Sequence, residues 1–391
     1  MKKPIYLDHH ATTPLDPRVL QKMMPYLTEH YGNAASRTHQ YGWIAEEAVE
    51  QARIRIATAI GASKDEIVFT SGATEANNLA IKGIAETFQR KGRHIITVST
   101  EHASVLDTCE YLREAGFEIT VLEVSEDGIL DQIKILNAIR SDTILVSVML
   151  ANNETGVIQD MAAIGAITRE KGIILHTDAV QALGKIPVHV ENLNVDLLSL
   201  SAHKFYGPKG VGALYIRKRN PRIQLTALLH GGGHENGQRS GTLNVPGIVG
   251  MGEAARFSVD ELQQNQKHYA GLRERLWSGL KQTIKGVRLN GPDFEKDDNF
   301  SRRLPNNLNV SIPDIDGEGL IMALKDIAVS TGSACSSAVP EPSHVLLRMG
   351  ISKELAKASL RFGLGSGNTS DDIDYTIKRI TETVGKLIKT I

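Results

Sequence analysis

Cysteine is nearly absent from this chain. Its 391 residues contain two, Cys109 and Cys335. No disulfide framework can be built from so few, so each thiol has to be read from its surroundings. Long apolar runs are missing as well. Nowhere do about 18 apolar residues follow one another, and the opening Met-Lys-Lys-Pro-Ile-Tyr-Leu-Asp-His-His lacks the apolar centre of a signal peptide. A cytoplasmic protein that neither spans nor coats a membrane is the expectation. An excess of one charge sign is missing too: 44 Lys and Arg face 45 Asp and Glu, for a formal net charge of -1. With both signs interspersed there is no basic tract for nucleic acid or for an anionic membrane.

What remains is an ordinary globular composition, 41% hydrophobic and 23% charged, long enough for a large core and two domains. From Glu66 onward short apolar runs alternate with helical patterns. Candidate strands lie at 94–98, 117–124, 143–150, 195–200 and 211–216, with helices at about 41–60, up to 115, and 131–140. A mostly parallel, doubly wound α/β sheet accounts for this alternation. Near residue 260 the pattern changes to a polar helix, short strands such as 307–312, and a terminal helix from about Ser370. This predicts a large domain at 13–259 and a smaller one formed by 1–12 with 260–391.

Chemistry concentrates where the candidate strands end. Ser199-Leu-Ser-Ala-His203-Lys204-Phe-Tyr-Gly-Pro-Lys-Gly210 delivers a lysine from a strand into a turn. Ligands bind at that edge of open α/β sheets, and a lysine partly withdrawn from water can lose its proton and attack a carbonyl. A covalent link to pyridoxal phosphate is the fitting use. Gly172-Ile-Ile-Leu-His-Thr-Asp178-Ala-Val-Gln181 ends a second run in a carboxylate. An aspartate facing the pyridine nitrogen would stabilise its protonated form, although Asp178 also reads as a simple helix N-cap.

Glu66-Ile-Val-Phe-Thr-Ser71-Gly72-Ala73-Thr74-Glu75-Ala-Asn77-Asn78 takes a strand into a helix whose unpaired N–H groups suit one phosphate. Helix capping by Ser71 or Thr74 is the competing reading. His102 falls just past a strand, where it either stacks on a cofactor ring or packs in a loop. The glycine-rich 229–242 segment, with Arg239, Ser240 and Thr242, either serves a phosphate, in this subunit or a partner's, or is a flexible surface loop. Arg361 sits in an apolar run and needs a carboxylate, from the protein or from an amino-acid substrate. His9 and His10 either act as metal ligands or line a substrate wall, and with no second metal-like cluster in the sequence no metal is expected. Cys109 lies in a helical pattern and reads as a buried filler. Cys335 differs, because small residues before it and two prolines after it place it on a loop.

Taken in order, these segments carry a resemblance. Tyr-Leu-Asp-His-His-Ala-Thr-Thr-Pro, Thr-Ser-Gly-Ala-Thr-Glu-Ala-Asn-Asn, Asn-Asn-Glu-Thr-Gly, His-Thr-Asp-Ala-Val-Gln, Ser-Ala-His-Lys-Phe-Tyr-Gly-Pro-Lys-Gly, Arg-Ser-Gly-Thr and Gly-Ser-Ala-Cys-Ser-Ser span nearly the whole chain. It resembles the pyridoxal-phosphate-dependent cysteine desulfurases of the fold-type-I, class-V aminotransferase superfamily, which supply sulfur for iron-sulfur clusters. The resemblance implies a seven-stranded, mostly parallel sheet in the large domain and a smaller α+β domain carrying the catalytic cysteine. It implies that Lys204 holds the cofactor and moves protons, Asp178 pairs with the ring nitrogen, and His102 stacks on the ring and takes part in catalysis. Gln181 and Asn153 would position the ring and its oxygen.

The same resemblance gives the phosphate to Ala73, Thr74, Ser201 and His203, with Thr242 reaching the phosphate of a neighbouring subunit in a homodimer. Asn33 and Arg361 would bind the carboxylate of L-cysteine, and Cys335 would accept its sulfur as a persulfide, leaving L-alanine. The sulfur would pass to an iron-sulfur scaffold or another acceptor protein. A selenocysteine lyase or an aminotransferase on the same fold is the alternative. Departures from the family pattern are Ala-Ala after Asn33, His9-His10 in place of Asn-Ala, and an end at Ile391 soon after the last helix, which leaves the acceptor open.

Overall fold

The computed structural model describes residues 3–294, 300–331 and 342–388. β1 (Ile5–Tyr6) opens the chain, and the next seven strands form one sheet. They are β2 (Ile67–Thr70), β3 (His94–Val98), β4 (Glu118–Leu122), β5 (Thr143–Ser147), β6 (Ile174–Asp178), β7 (Leu197–Ser201) and β8 (Gly212–Ile216). Their order is β2-β8-β7-β6-β5-β3-β4, and only β8 runs antiparallel to its neighbours. Every residue of β2, β3 and β5 to β8 is buried, whereas the edge strand β4 is largely solvent-accessible.

That burial follows from helices on both faces. Side chains alternate along a strand, and neighbours divide between two hydrophobic clusters: Val68, Ile95, Leu197 and Leu214 join one, while Phe69, Ile96, Leu198 and Tyr215 join the other. The first cluster is closed by helices Ala73–Phe88 and Ala103–Glu114, and the second by Gln40–Ala59, Met161–Glu170 and Val245–Asp260. Helix Ala73–Phe88 does not stay beside its own strand. It lies across β2, β5, β6, β7 and β8, which carries its amino end over the middle of the sheet.

The sequence boundaries agree with the structure to within a few residues, except at β5. This strand closes at Ser147 rather than at Leu150, although Val148 and Leu150 still donate to the His176 and Asp178 carbonyls. Beyond them Asn152 folds the chain back, its Oδ1 accepting from the N–H groups of Glu154 and Thr155 at 2.9 Å each.

The remaining part packs around a third cluster, which contains Leu7 as well as residues from Leu272 to Val384. Its sheet joins β9 (Arg288–Leu289), β10 (Asn307–Ser311) and β12 (Ser359–Gly363) antiparallel, with β10 central. Helices Leu262–Thr283 and Ser370–Ile388 cover it. β1 pairs in parallel with β11 (Ile327–Ala328), and Leu7 continues towards β12 by accepting from Gly363 N–H at 2.7 Å. Leu304, Val345 and Met349 pack instead into the larger cluster, so the two parts interlock. Among the described residues no helix is long and apolar enough to cross a membrane.

Candidate active site

β2, β3, β5, β6 and β7 point their carboxyl ends to one edge of the sheet, and the expected site residues follow them there. Lys204 ends a single 3-10 turn, Ala202–Lys204, directly after β7. Its Nζ donates to the carbonyls of His10 and of Ala11, the latter at 2.9 Å. Thr13 ties the same turn to the amino-terminal segment, donating from N and Oγ1 to the His203 carbonyl. The His203 ring meets Thr12 Oγ1 at 3.1 Å, and burial together with the Lys204 charge lowers its pKa to about 4.

His10 does more than line a wall. The Gln181 amide donates to the His10 carbonyl at 3.0 Å and its Oε1 faces His10 Nδ1 at 3.0 Å, while Asn307 Nδ2 lies 3.1 Å from His10 Nε2. With an acceptor on one ring nitrogen and a donor on the other, the proton belongs on Nδ1. Burial lowers the pKa of this imidazole to about 3, so it stays neutral. Gln181 therefore orients the segment that holds Lys204. His9 is also committed, with Nδ1 2.9 Å from the Gly363 carbonyl.

Behind Lys204 lies a second lysine, which no local sequence signal singles out. Lys185 is buried and donates to the Lys204 carbonyl. Burial and the neighbouring Lys204 charge bring its pKa down to about 7. Only the Gly184-Lys185 context after Gln181 could point to it, and that pattern is the same as in an ordinary turn.

Asp178 ends β6. Its Oδ1 accepts from Val180 N–H at 3.0 Å, but turns rather than a helix follow β6, so Asp178 is not the helix N-cap of the simpler reading, and its Oδ2 accepts from Asn77 Nδ2 at 2.8 Å. Asn77 is four residues into the helix that crosses the sheet, so the carboxylate serves both elements. His102 follows β3 and caps helix Ala103–Glu114, its Nδ1 accepting from Ser104 N–H at 3.1 Å.

The start of helix Ala73–Phe88 decides between capping and anion binding. Its N-cap is Gly72, which has no side chain to cap it, and among the described residues no side chain takes that role; Ser71 N–H donates to Glu75 Oε2 at 2.8 Å. Neither Ser71 nor Thr74 is the cap, so the first-turn N–H groups of Ala73 and Thr74 are left for an anion. A Cβ built on Gly72 would meet only Ser201 Oγ, at 3.9 Å, which puts the β7 serine beside this turn.

The 229–242 loop is held in place rather than free. Arg239 pairs with Glu75 at 2.8 Å, and buried Glu235 accepts from Phe69 N–H and from both terminal nitrogens of Arg53, each at 2.8 Å. Three residues beyond Arg239, Thr242 is exposed.

Arg361 is buried in β12, and the protein itself supplies a carboxylate. Nη2 meets Asp8 Oδ1 at 2.8 Å, and Nη1 donates to the Asn153 carbonyl at 3.1 Å. Asn153 Oδ1 is buried and has no hydrogen-bond partner among the described residues. Asn33 lies in an exposed loop, capping Ala35 N–H at 2.9 Å, and no hydrogen bond among the described residues joins it to Arg361. Cys335 lies outside the described residues. The chain on either side of it is anchored at the site, since Ser330 pairs with Arg361 through the backbone and Ser343 Oγ donates to Glu154. Glu154 is buried, and burial raises its pKa. Cys109 is buried, and burial pushes its thiol up to about 12, as an inert filler requires.

The geometry has a counterpart among known proteins. The chain is 57% identical to the cysteine desulfurase IscS of Anaeromyxobacter dehalogenans over 387 residues, covering 99% of this chain and 94% of that one. It is 56% identical to the IscS of Aeromonas salmonicida over 389 residues, with the same coverage. The solved structure of a NifS-like protein superimposes with a TM-score of 0.90 at 41% identity, over 98% of this chain and 100% of the other. The sequence profile of the class-V aminotransferases matches residues 5–376, and on these grounds the chain belongs to the aminotransferase class-V family and is an enzyme.

Proposed function

We propose that this enzyme is a pyridoxal-phosphate-dependent cysteine desulfurase, converting L-cysteine to L-alanine and leaving the sulfur on Cys335 as a persulfide. The observation that carries the reading is convergence: a lysine, a buried carboxylate, an imidazole and an uncapped helix start meet at one sheet edge. The site fits the cofactor on its own terms: among the described residues the first-turn N–H groups are left for a phosphate and the buried Asn153 Oδ1 has no partner. Ala73, Thr74, Ser201 and His203 would hold the phosphate, Asp178 the ring nitrogen, His102 the ring face, and Asn153 the ring oxygen. Gln181 would act on the same side through His10. When bound, pyridoxal phosphate supplies the sink for the electrons released as the substrate α-proton leaves.

The chain's own residues supply the rest. Lys204 carries the proton taken from and returned to substrate carbon, and Lys185 fixes its backbone from behind. Arg361 binds the substrate carboxylate, with Asn33 closing over it. The Cys335 thiolate attacks the substrate sulfur, so that a new S–S bond forms as the carbon–sulfur bond breaks. An acceptor protein, an iron-sulfur scaffold in this reading, then takes the sulfur. The hydrophobic clusters support two domains, 13–259 and 1–12 with 260–391, because Leu7 packs with the carboxyl-terminal cluster.

A homodimer is supported by an uncovered apolar face. Leu20, Met24 and Leu27 are exposed on one side of helix Pro17–Thr28, and exposed Tyr31 and Tyr41 pack at 5.3 Å between centroids. In such a dimer the exposed Thr242 would reach the neighbour's phosphate.

The test is production of alanine and sulfide from L-cysteine with a thiol reductant, comparing the purified protein with Cys335→Ala. The parent is expected to make both, and the variant to keep its cofactor colour and lose turnover. Equal activity would remove Cys335 as sulfur acceptor.

A further inference from the structure

The motif that forms the phosphate cup ends in Asn77-Asn78, and neither residue has a part in the proposed reaction. Asn78 only closes its own helix, donating to the Thr74 carbonyl at 2.9 Å. Asn77 is fully buried, and its amide nitrogen makes two contacts to elements far away in sequence: Asp178 Oδ2 at 2.8 Å and Ser104 Oγ at 2.9 Å. Ser104 Oγ in turn lies 2.9 Å from His102 Nδ1.

Donor and acceptor roles along this chain are fixed by its first member. A carboxylate offers only acceptors, so the Asn77 amide must turn its NH2 towards Asp178. The second hydrogen of that nitrogen then goes to Ser104 Oγ, which spends an acceptor site of the hydroxyl. The hydroxyl proton is left for His102 Nδ1, which already accepts from Ser104 N–H at 3.1 Å. Two donors aimed at Nδ1 put the proton of the neutral imidazole on Nε2.

We propose that Asn77 and Ser104 are positioning residues that couple His102 to Asp178, holding the imidazole in its Nε2–H tautomer and the carboxylate in place for the cofactor ring. This rests on the proposed function for what Asp178 and His102 act upon, while the hydrogen-bond chain itself is a property of the protein. Helix Ala73–Phe88 thereby sets three features at once: the phosphate cup at its first turn, the carboxylate one turn later, and through Ser104 the ring of His102. Glu101, the carboxyl next to His102 in sequence, does not compete for this role. It is buried against Met149 N–H, and burial raises its pKa well above the usual carboxylate range.

The test uses the full chain with ring-¹⁵N histidine, as parent and as Asn77→Ala, Ser104→Ala and Ser104→Thr, with and without pyridoxal phosphate, above neutral pH. In the parent His102 is expected to carry its proton on Nε2 in both forms. Asn77→Ala and Ser104→Ala move the Nδ1 resonance downfield as a donor is lost or released, and Ser104→Thr keeps it. Loaded Asn77→Ala should lose cofactor on dialysis on the order of 10-fold more readily than the parent, as expected for one hydrogen bond to a charged group. Ser104→Ala should lower kcat more than it changes KM. A proton on Nδ1 in the parent overturns the proposal, as does an unmoved Nδ1 resonance in both alanine variants. Because the resonance is read without cofactor, a parent that fails to act on cysteine would refute the desulfurase reading and leave this result standing.

Discussion

Arg361 offers the sharpest quantitative test, because the structure gives it two duties that can be separated. Its guanidinium joins three parts of the chain: β12 carries it, Asp8 accepts at 2.8 Å and the Asn153 carbonyl at 3.1 Å. The side chains of the ion pair are 3% and 17% exposed, so little water replaces what is lost. Arg361→Ala strands Asp8 and the Asn153 carbonyl. Breaking a buried pair from one side costs about 3–5 kcal/mol, which urea unfolding would read as a lowered midpoint at constant slope.

If the same guanidinium binds the substrate carboxylate, a further charged hydrogen bond of about 1.5–3 kcal/mol is lost, raising KM for L-cysteine by roughly 10- to 100-fold. Asp8→Asn separates the two duties. It leaves an acceptor in place and removes only the charge, so it should cost about 1–2 kcal/mol of stability while KM stays within a few-fold. An Arg361→Ala enzyme with unchanged KM would refute the substrate duty. An unchanged unfolding free energy would refute the clamp. If Asp8→Asn raised KM as much as Arg361→Ala, the arginine would act on substrate only through the fold.

Two further outcomes follow from other parts of the structure. His176 is buried between Ser147 Oγ at 2.8 Å and Ser199 Oγ at 3.1 Å, and burial alone brings its pKa to about 3 from an ordinary 6.5. Below pH 6.5 the unfolded chain binds a proton that the folded chain refuses. The stability of the parent relative to His176→Gln should therefore fall by about 1.4 kcal/mol for each pH unit between 6 and 4. A pH-independent difference in unfolding free energy would show that His176 is protonated in the fold. At the exposed helix face, the pair Leu20→Arg with Met24→Arg is expected to convert a dimer into a monomer by equilibrium sedimentation. A parent that already sediments as a monomer at full activity would remove the homodimer from the proposal.

Much of the site is legible in the amino-acid sequence. Strand patterns and the turn residues after them are local signals, so Lys204, Asp178, His102 and the Gly72 turn can all be assigned to strand ends. A shared strand edge is enough to make them candidates for one ligand. The same local signals mark Asp16-Pro17 as a helix start, and Asp16 does accept from Arg18 N–H at 2.8 Å. Cys109 is recognisable as filler because a helical pattern surrounds it.

What the sequence hides depends on pairs distant in the chain. The partner of Arg361 is Asp8, 353 positions away, and nothing near either residue names the other. Lys185 looks like a turn residue until the fold buries it against the Lys204 carbonyl. His10 looks like a wall, yet it joins Gln181, Asn307 and Lys204. Periodicity states which face of a strand is buried, but not which strand lies beside it. The order β2-β8-β7-β6 comes only from global packing, and it carries the helix after β2 across to β6. By itself, then, the sequence determined the elements and the set of chemical groups at their ends. The tertiary structure decided which of those groups touch, because hydrogen-bond partners are chosen by distances that no local pattern encodes.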